Sequence, residues 1–377
     1  MEYQNSNQLD SALSLVKVTI DQGKASRNRG EIDMAFSHWE ESSNFLEILN
    51  STSTISKDLI SDLYLDLGWR NYEESRYDYS KEYFIQSEKI RLSAKSFDSI
   101  GLFNCYNALS VIYLEEFDFE KSNYFASKAT GIILNFKDSL PDKLGKHYGN
   151  IAVSHMRLNR LDSADLYLSR SKEIWLDLIE NSEGKLKRDY LKRLAINYSR
   201  RAEYFDLADS SISSIESAYL KSIELMKEGR GGWANKLDKL ADKYKQWGRF
   251  AEADSILNMA IDRYQKTYPG KKHTAIFSAI LNKADLYSQW GKLQVADSLY
   301  QYLHELKDIH GLNHPKYLEH LNKYAYHLCR SQDYLKVSSI LSQSFESQKK
   351  IILDDFIFLD GEDRKNYWSL KEDDVIA

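Results

Sequence analysis

One spacing constrains this chain more than any other feature: a small residue followed twelve places later by a second one. Gly23 and Ala35, Gly68 and Ser80, Ser110 and Ser122, Ala152 and Ala164, Ala241 and Ala253, and Ala284 and Ala296 keep it, and Ala325 and Val337 form a looser last pair. Ala195 and Ala208 lie one residue further apart, a slip that a turn absorbs. Successive first members are 41–46 residues apart over eight units, so the chain is read as a repeat array.

Each unit has a physical reading as a helical hairpin. Apolar residues recur three and four places from each small residue, the period of one helix face. Two helices approach to about 8–10 Å only where their contact side chains permit it. Gly, Ala and Ser at the two crossing points do. Between them stands Asn159, Gly248 or Gly291, residue types suited to the left-handed conformation that ends a helix. Four places after the second small residue comes a large one that fills the layer between hairpins: Trp39, Phe84, Leu168, Leu257, Tyr300 or Leu341. Tyr113, Tyr198, Tyr244 and Tyr287 take the matching slot on the first helix. Pro141, Pro269 and Pro315 fall between units, away from helix interiors where each would cost about 3 kcal/mol.

These residues resemble the tetratricopeptide repeat (TPR): Leu, a small residue, Tyr, then Ala, then an aromatic or Leu, as in Leu240, Ala241, Tyr244, Ala253 and Leu257. The stretches Tyr268-Pro269-Gly270-Lys271-Lys272-His273-Thr274 and His310-Gly311-Leu312-Asn313-His314-Pro315 are similar to the loops between the long repeats of kinesin light chain and related bacterial proteins. The resemblance implies an all-α fold, a right-handed TPR superhelix (an α–α solenoid) of about eight helical hairpins. It divides into a weaker hairpin over 1–50, the array over 51–345, and a C-terminal helix or linker over 346–377.

Composition agrees with layered helices: 3 Pro and 16 Gly against 26 Tyr, 15 Phe and 7 Trp. A net charge of −5, spread along the chain, offers no concentrated basic surface, so no nucleic-acid partner is expected. The N-terminus has neither a basic start nor an apolar run, and no stretch is long and apolar enough to span a membrane. The expected location is cytoplasmic.

The tail Ile351-Ile352-Leu353, Phe356-Ile357-Phe358-Leu359 and Glu362-Asp363-Arg364-Lys365-Asn366-Tyr367-Trp368 resembles the stretch that joins bacterial TPR arrays to a CHAT domain, a caspase-like peptidase module. Two readings stay open: a sensor half of a TPR–CHAT protein, or a helix capping the apolar end of the solenoid.

No residue set points to catalysis, a cofactor or a metal. Cys329 and His327 are two residues apart on a helix and face different sides; Cys105 has no histidine near it in sequence. His310 and His314 are explained by the repeat loop, His320 does not complete a ligand set with them, and His155 replaces a core tyrosine. Gly229-Arg230-Gly231-Gly232 lacks the strand and the Gly-Lys-Ser/Thr of a phosphate cradle. The expected activity is binding of a protein or peptide ligand, with a caspase-like effector as one partner.

In TPR proteins the first helices line the concave side, and the lining residues flank the small residue. By this resemblance units two to four contribute Leu65, Trp69, Tyr72, Val111, Leu114, Val153 and Met156. Unit five contributes Lys192 and Ile196, and the last three units contribute Asp242, Lys245, Asp285, Gln289, Tyr326 and Arg330. The lining tends from apolar to polar along the array. Two functions follow: an interaction scaffold, or a receptor whose superhelix changes pitch on binding a peptide.

Overall fold

The computed structural model describes residues 2–29, 31–50, 56–74, 76–94, 98–229, 232–268, 273–306 and 315–356. Among these residues every regular element is a helix. In chain order they are α1 (Glu2–Arg29), α2 (Ile32–Asn50), α3 (Lys57–Glu73), α4 (Tyr77–Leu92), α5 (Ser99–Glu115) and α6 (Phe119–Ile133). A short 3-10 turn (Leu134–Phe136) leads to α7 (Pro141–Arg157), α8 (Leu161–Glu180), α9 (Gly184–Leu207) and α10 (Ile212–Glu228). Then come α11 (Ala234–Gln246), α12 (Phe250–Thr267), α13 (Thr274–Gln289), α14 (Leu293–Glu305), α15 (Pro315–Arg330) and α16 (Tyr334–Phe356).

The chain forms two compact units, one of Met1–Asp21 with Trp39–Lys243, the other of Gln22–His38 with Tyr244–Ala377. In the first, α3 pairs with α4, α5 with α6, α7 with α8 and α9 with α10, and the first helices α3, α5, α7 and α9 neighbour one another in turn. In the second, α13 pairs with α14 and α15 with α16, and α13 lies against α15. Pro141 and Pro315 open helices, the position where the missing N–H is unpaired anyway.

Six of the hairpins turn in the same way among the described residues. Phe117, Asn159, Asp209, Gly248, Gly291 and Gln332 all have positive φ, from 49° to 81°. After α7, the Asn159 N–H donates to the Met156 carbonyl (3.0 Å) and the Arg160 N–H to the His155 carbonyl (2.8 Å). This pair of bonds satisfies the last free carbonyls of the helix and fixes where the second helix starts. Seven residues before the turn residue stands the crossing residue, Ser110, Ala152, Ala241, Ala284 or Ala325, each buried.

That rule corrects the reading of unit five. Asp209 has the positive φ, so the crossing residue of α9 is Ala202, fully buried, and not Ala195. Ala208 is the half-buried C-cap of α9; the partner position on α10 is the buried Ile215. The slot given to Tyr198 belongs to Phe205. Ala195 is a second contact point one heptad earlier, where the Ser222 hydroxyl donates to its carbonyl (2.6 Å). Ser171 makes the same bond to Gly145 (2.8 Å), and Ser87 to Ser61 (2.8 Å). Two small residues seven apart on one helix face satisfy the same pattern, and α9 has 24 residues against 17 in α3, α5 and α7.

The remaining large residues fill the layers as expected: Trp39, Phe84, Leu168, Leu257 and Tyr300 are buried. Leu341 on α16 is half exposed. A charged side chain is buried at one helix junction as well. Arg91, 1% exposed, reaches the carboxylates of Asp98 (2.5 Å), Asp62 (2.5 Å) and Asp58 (3.4 Å) and the Ser61 hydroxyl (3.1 Å). Gly101 makes room for it, since a Cβ there would meet the guanidinium. Asp98 also caps α5 by accepting from the Gly101 N–H (3.0 Å). Replacing Arg91 by Met removes its bonds to three part-exposed acids and is expected to lower the unfolding free energy by about 2 kcal/mol, read from urea denaturation. An unchanged midpoint would show that the acids relax into water.

Buried histidines make stability depend on pH. His320 is fully buried among Phe277, Tyr300, Tyr317 and Tyr324, with neither ring nitrogen hydrogen-bonded. Burial, then the charge of His304, pushes its pKa down to about 3. Burial lowers His147 to about 4, where Nδ1 meets the Asn107 side-chain oxygen (3.1 Å) and Nε2 the Thr130 hydroxyl (2.8 Å). Each folded pKa lies below the ordinary 6.5, so between 6.5 and these values the unfolded chain binds protons that the native chain does not. Stability is therefore full above pH 6.5 and falls as the pH drops toward 4. Thermal melts of wild type and His320→Phe between pH 7 and 4 test this: the variant should lose part of the slope.

Candidate functional site: the first-helix face

In the first unit, Trp69 and Tyr72 stand one turn apart on α3, with ring centroids 5.5 Å apart and edge to face. Trp69 also meets Phe84 of α4 edge-on at 5.0 Å, which fixes its inner side while its outer edge reaches solvent. The Tyr72 hydroxyl donates to Glu115 on α5 (2.9 Å), tying adjacent first helices together. Burial and then the Glu115 charge raise the Tyr72 pKa.

Residues directly after the crossing position differ in exposure: Asp285 is buried and Tyr326 exposed. Trp69, Val111 and Val153 are all half-buried. Leu65, Leu114 and Met156, three before or four after the crossing, are buried between helices. In α9 the shifted register puts Ser199, Glu203 and Asp206 at the flanking positions. Ile196 instead joins the core around Trp175, and Lys192 pairs with Asp189 on its own helix (2.8 Å). Asp242 is half-buried.

In the second unit, Lys245 and Asp285 form an ion pair (2.5 Å), both largely covered, and Gln289 donates to the same carboxylate (3.0 Å). Tyr326 and Arg330 are exposed, Tyr326 by 59%.

Sequence reasoning missed a polar ladder crossing three first helices. Asn150 on α7 donates to Asn107 on α5 (3.2 Å), and Arg200 on α9 donates to Asn150 (3.0 Å). Arg200 lies where a Cβ on Gly149 would stand, so glycine opens the space for it. Lys146, one turn before Asn150, places its ammonium 5.7 Å from the Trp69 ring centroid. Asn150 and Arg200 each stand two places before their crossing residues, Ala152 and Ala202, and that shared position was the available signal. The misplaced register in α9 hid Arg200.

The histidines and cysteines lie apart. His327 is buried with Nδ1 at 3.0 Å from the Ser288 hydroxyl, whereas Cys329 is exposed. Cys105 is buried near the Ser87 hydroxyl, and burial raises its pKa. His155 is half-buried and stacked on Tyr167. Among the described residues no group of His, Cys, Asp and Glu is arranged to hold a metal, and no helix is long and apolar enough to cross a membrane. His310, His314, Arg230, Gly231 and the stretch after Phe356 lie outside the described residues.

No known family profile and no curated protein matches the sequence. Solved structures do. The chain is similar to a Rap protein complexed with competence and sporulation factor, at 13% identity and a TM-score of 0.54, covering 89% of this chain and 100% of that one. Aspartyl phosphate phosphatase F from Bacillus subtilis is similar at 14% identity and 0.52, covering 95% and 90%. A signal transduction ATPase with a tetratricopeptide repeat sensor, from Pyrococcus horikoshii, aligns at 15% identity and 0.50, over 90% of this chain and 52% of that one. These likenesses, with the hairpin geometry, define an all-helical TPR-like solenoid.

Proposed function

We propose that this chain is a non-catalytic TPR-like array that binds a protein or peptide along the first-helix face of its first unit. One observation carries the reading: Trp69, Val111 and Val153 stand half-buried at the same position on the successive first helices α3, α5 and α7, with the ring of Tyr72 beside Trp69. Such a strip of apolar and amphipathic side chains on rigid helices suits an apolar segment laid across it. A Rap protein of similar fold was solved with a bound factor, which supports a peptide ligand.

Within this reading the array is the regulatory part of a TPR–CHAT peptidase system, a proposal that rests on the tail sequence from Ile351 to Trp368. A receptor that alters its pitch on binding is the second reading, favoured by the tetratricopeptide repeat sensor of similar fold. Both place the chain in the cytoplasm with no nucleic-acid or membrane partner.

Random-peptide display on the purified chain tests the binding function, with affinities then measured by fluorescence anisotropy. Trp69→Ser combined with Val153→Ser should weaken selected peptides at least tenfold, about 1.4 kcal/mol, while circular dichroism stays unchanged. Undiminished affinity in the folded double variant would remove this face as the site. Compaction on binding in small-angle scattering would select the receptor over the rigid scaffold.

A further inference from the structure

Helix α16 leaves bare a position that earlier hairpins cover. On α4 and α14 the large residue four places after the crossing is buried against the next first helix. Phe84 packs with Ala108, Leu109 and Ile112 of α5, and Tyr300 stacks on Tyr324 of α15 with ring centroids 5.2 Å apart. Leu341 holds the same place on α16 and is 50% exposed. One side of α16 is fixed: Val337 and Ile340 are buried in the cluster with Tyr324 and Leu328, and the Ser344 hydroxyl donates to the Asn322 side-chain oxygen (2.5 Å). Beside that buried side run Tyr334, Ser338, Leu341 and Phe345, all exposed, which line an open groove. Their spacing of four, three and four residues is that of a seam that receives a second helix.

We propose that this stripe joins two copies of the chain, α16 against α16, antiparallel about Leu341. The order of side chains along the stripe is self-complementary. A two-fold axis beside Leu341 sets each bulky Phe345 over the small Ser338 of the other copy, so one patch serves both sides. Charge agrees. Helix α16 carries Lys336, Lys349 and Lys350 against Glu346, Asp354 and Asp355. Two copies therefore meet there without the repulsion that a net charge of −5 on each chain would otherwise bring. The antiparallel sense brings Lys349 to the ring of Tyr334 in the other copy, where a cation is attracted to the ring face. A parallel pair would instead set Lys349 against itself. The helix is long enough for such a seam, since 23 residues extend about 34 Å. Two aromatic side chains in the stripe are of the kind that fill the centre of protein interfaces.

Sedimentation velocity on the full chain tests this. The wild type should dimerise with a dissociation constant on the order of 1 µM. Leu341→Asp combined with Phe345→Asp should raise that constant about tenfold or more, with circular dichroism unchanged because both side chains are exposed. Leu220→Asp on α10, at 48% exposure, should leave it as it was. Disulfide trapping gives a second reading, in a Cys329→Ser background because that thiol is exposed. Leu341→Cys should link into a covalent dimer under mild oxidation. Phe345→Cys should not, because its two copies stand about 12 Å apart along an antiparallel pair. A wild type that stays monomeric up to about 100 µM would overturn the proposal and leave the stripe to the segment after Phe356 or to another protein. A dimer that survives the double substitution in folded protein would place the contact elsewhere and overturn it too. Ready linkage through Phe345→Cys would mark a parallel or shifted pair and overturn the arrangement.

Discussion

The architecture depends on how closely two helices can approach at a small residue. At Ala152, Ala202 or Ala284 the absence of a side chain beyond Cβ brings the second helix near enough for its large residue to fill the next layer. One heptad away the approach is close enough for serine hydroxyls to reach the opposite backbone, as Ser171 reaches Gly145 and Ser222 reaches Ala195. These bonds use carbonyls that already serve their own helix, so they add to the fold without disturbing it. A methyl group too many at such a point would push two helices apart along their whole length.

Much of this was legible in the sequence because it follows from size and period. Glycine, alanine and serine at the crossings, proline at helix starts and the glycine or asparagine of Asn159, Gly248 and Gly291 follow from local sterics, whereas Phe117, Asp209 and Gln332 take the same left-handed turn without that signal. The register of α9 was not legible. Ala195 and Ala202 lie on one face at heptad spacing, and small size cannot tell them apart; only the turn at Asp209 decides. The same limit applied to the lining. Leu65 and Trp69 both flank Gly68, but the helix rotation that buries one and bares the other is set by packing against neighbours.

The polar face shows a second limit. Charge along the sequence is nearly balanced, and the meeting of Asn107, Asn150 and Arg200 arises only when α5, α7 and α9 are set side by side. Arg91 and Arg200 illustrate two outcomes for a guanidinium in this fold. The first is surrounded by Asp58, Asp62 and Asp98 and serves the junction of helices. The second is held by an amide and leaves its charge available. The difference lies in what faces each residue across the helix seam, which no linear pattern records.

The added length of α9 has a consequence for how the chain finds its fold. An array of interchangeable hairpins can misalign by a whole unit, pairing each helix with the wrong neighbour at little loss of contact area. With 24 residues against 17 in α7, the first helix α9 carries two turns more than that neighbour, so the hairpin it opens is not interchangeable with the one before it. That difference in length marks one hairpin within an otherwise repetitive molecule and penalises its exchange with the preceding one.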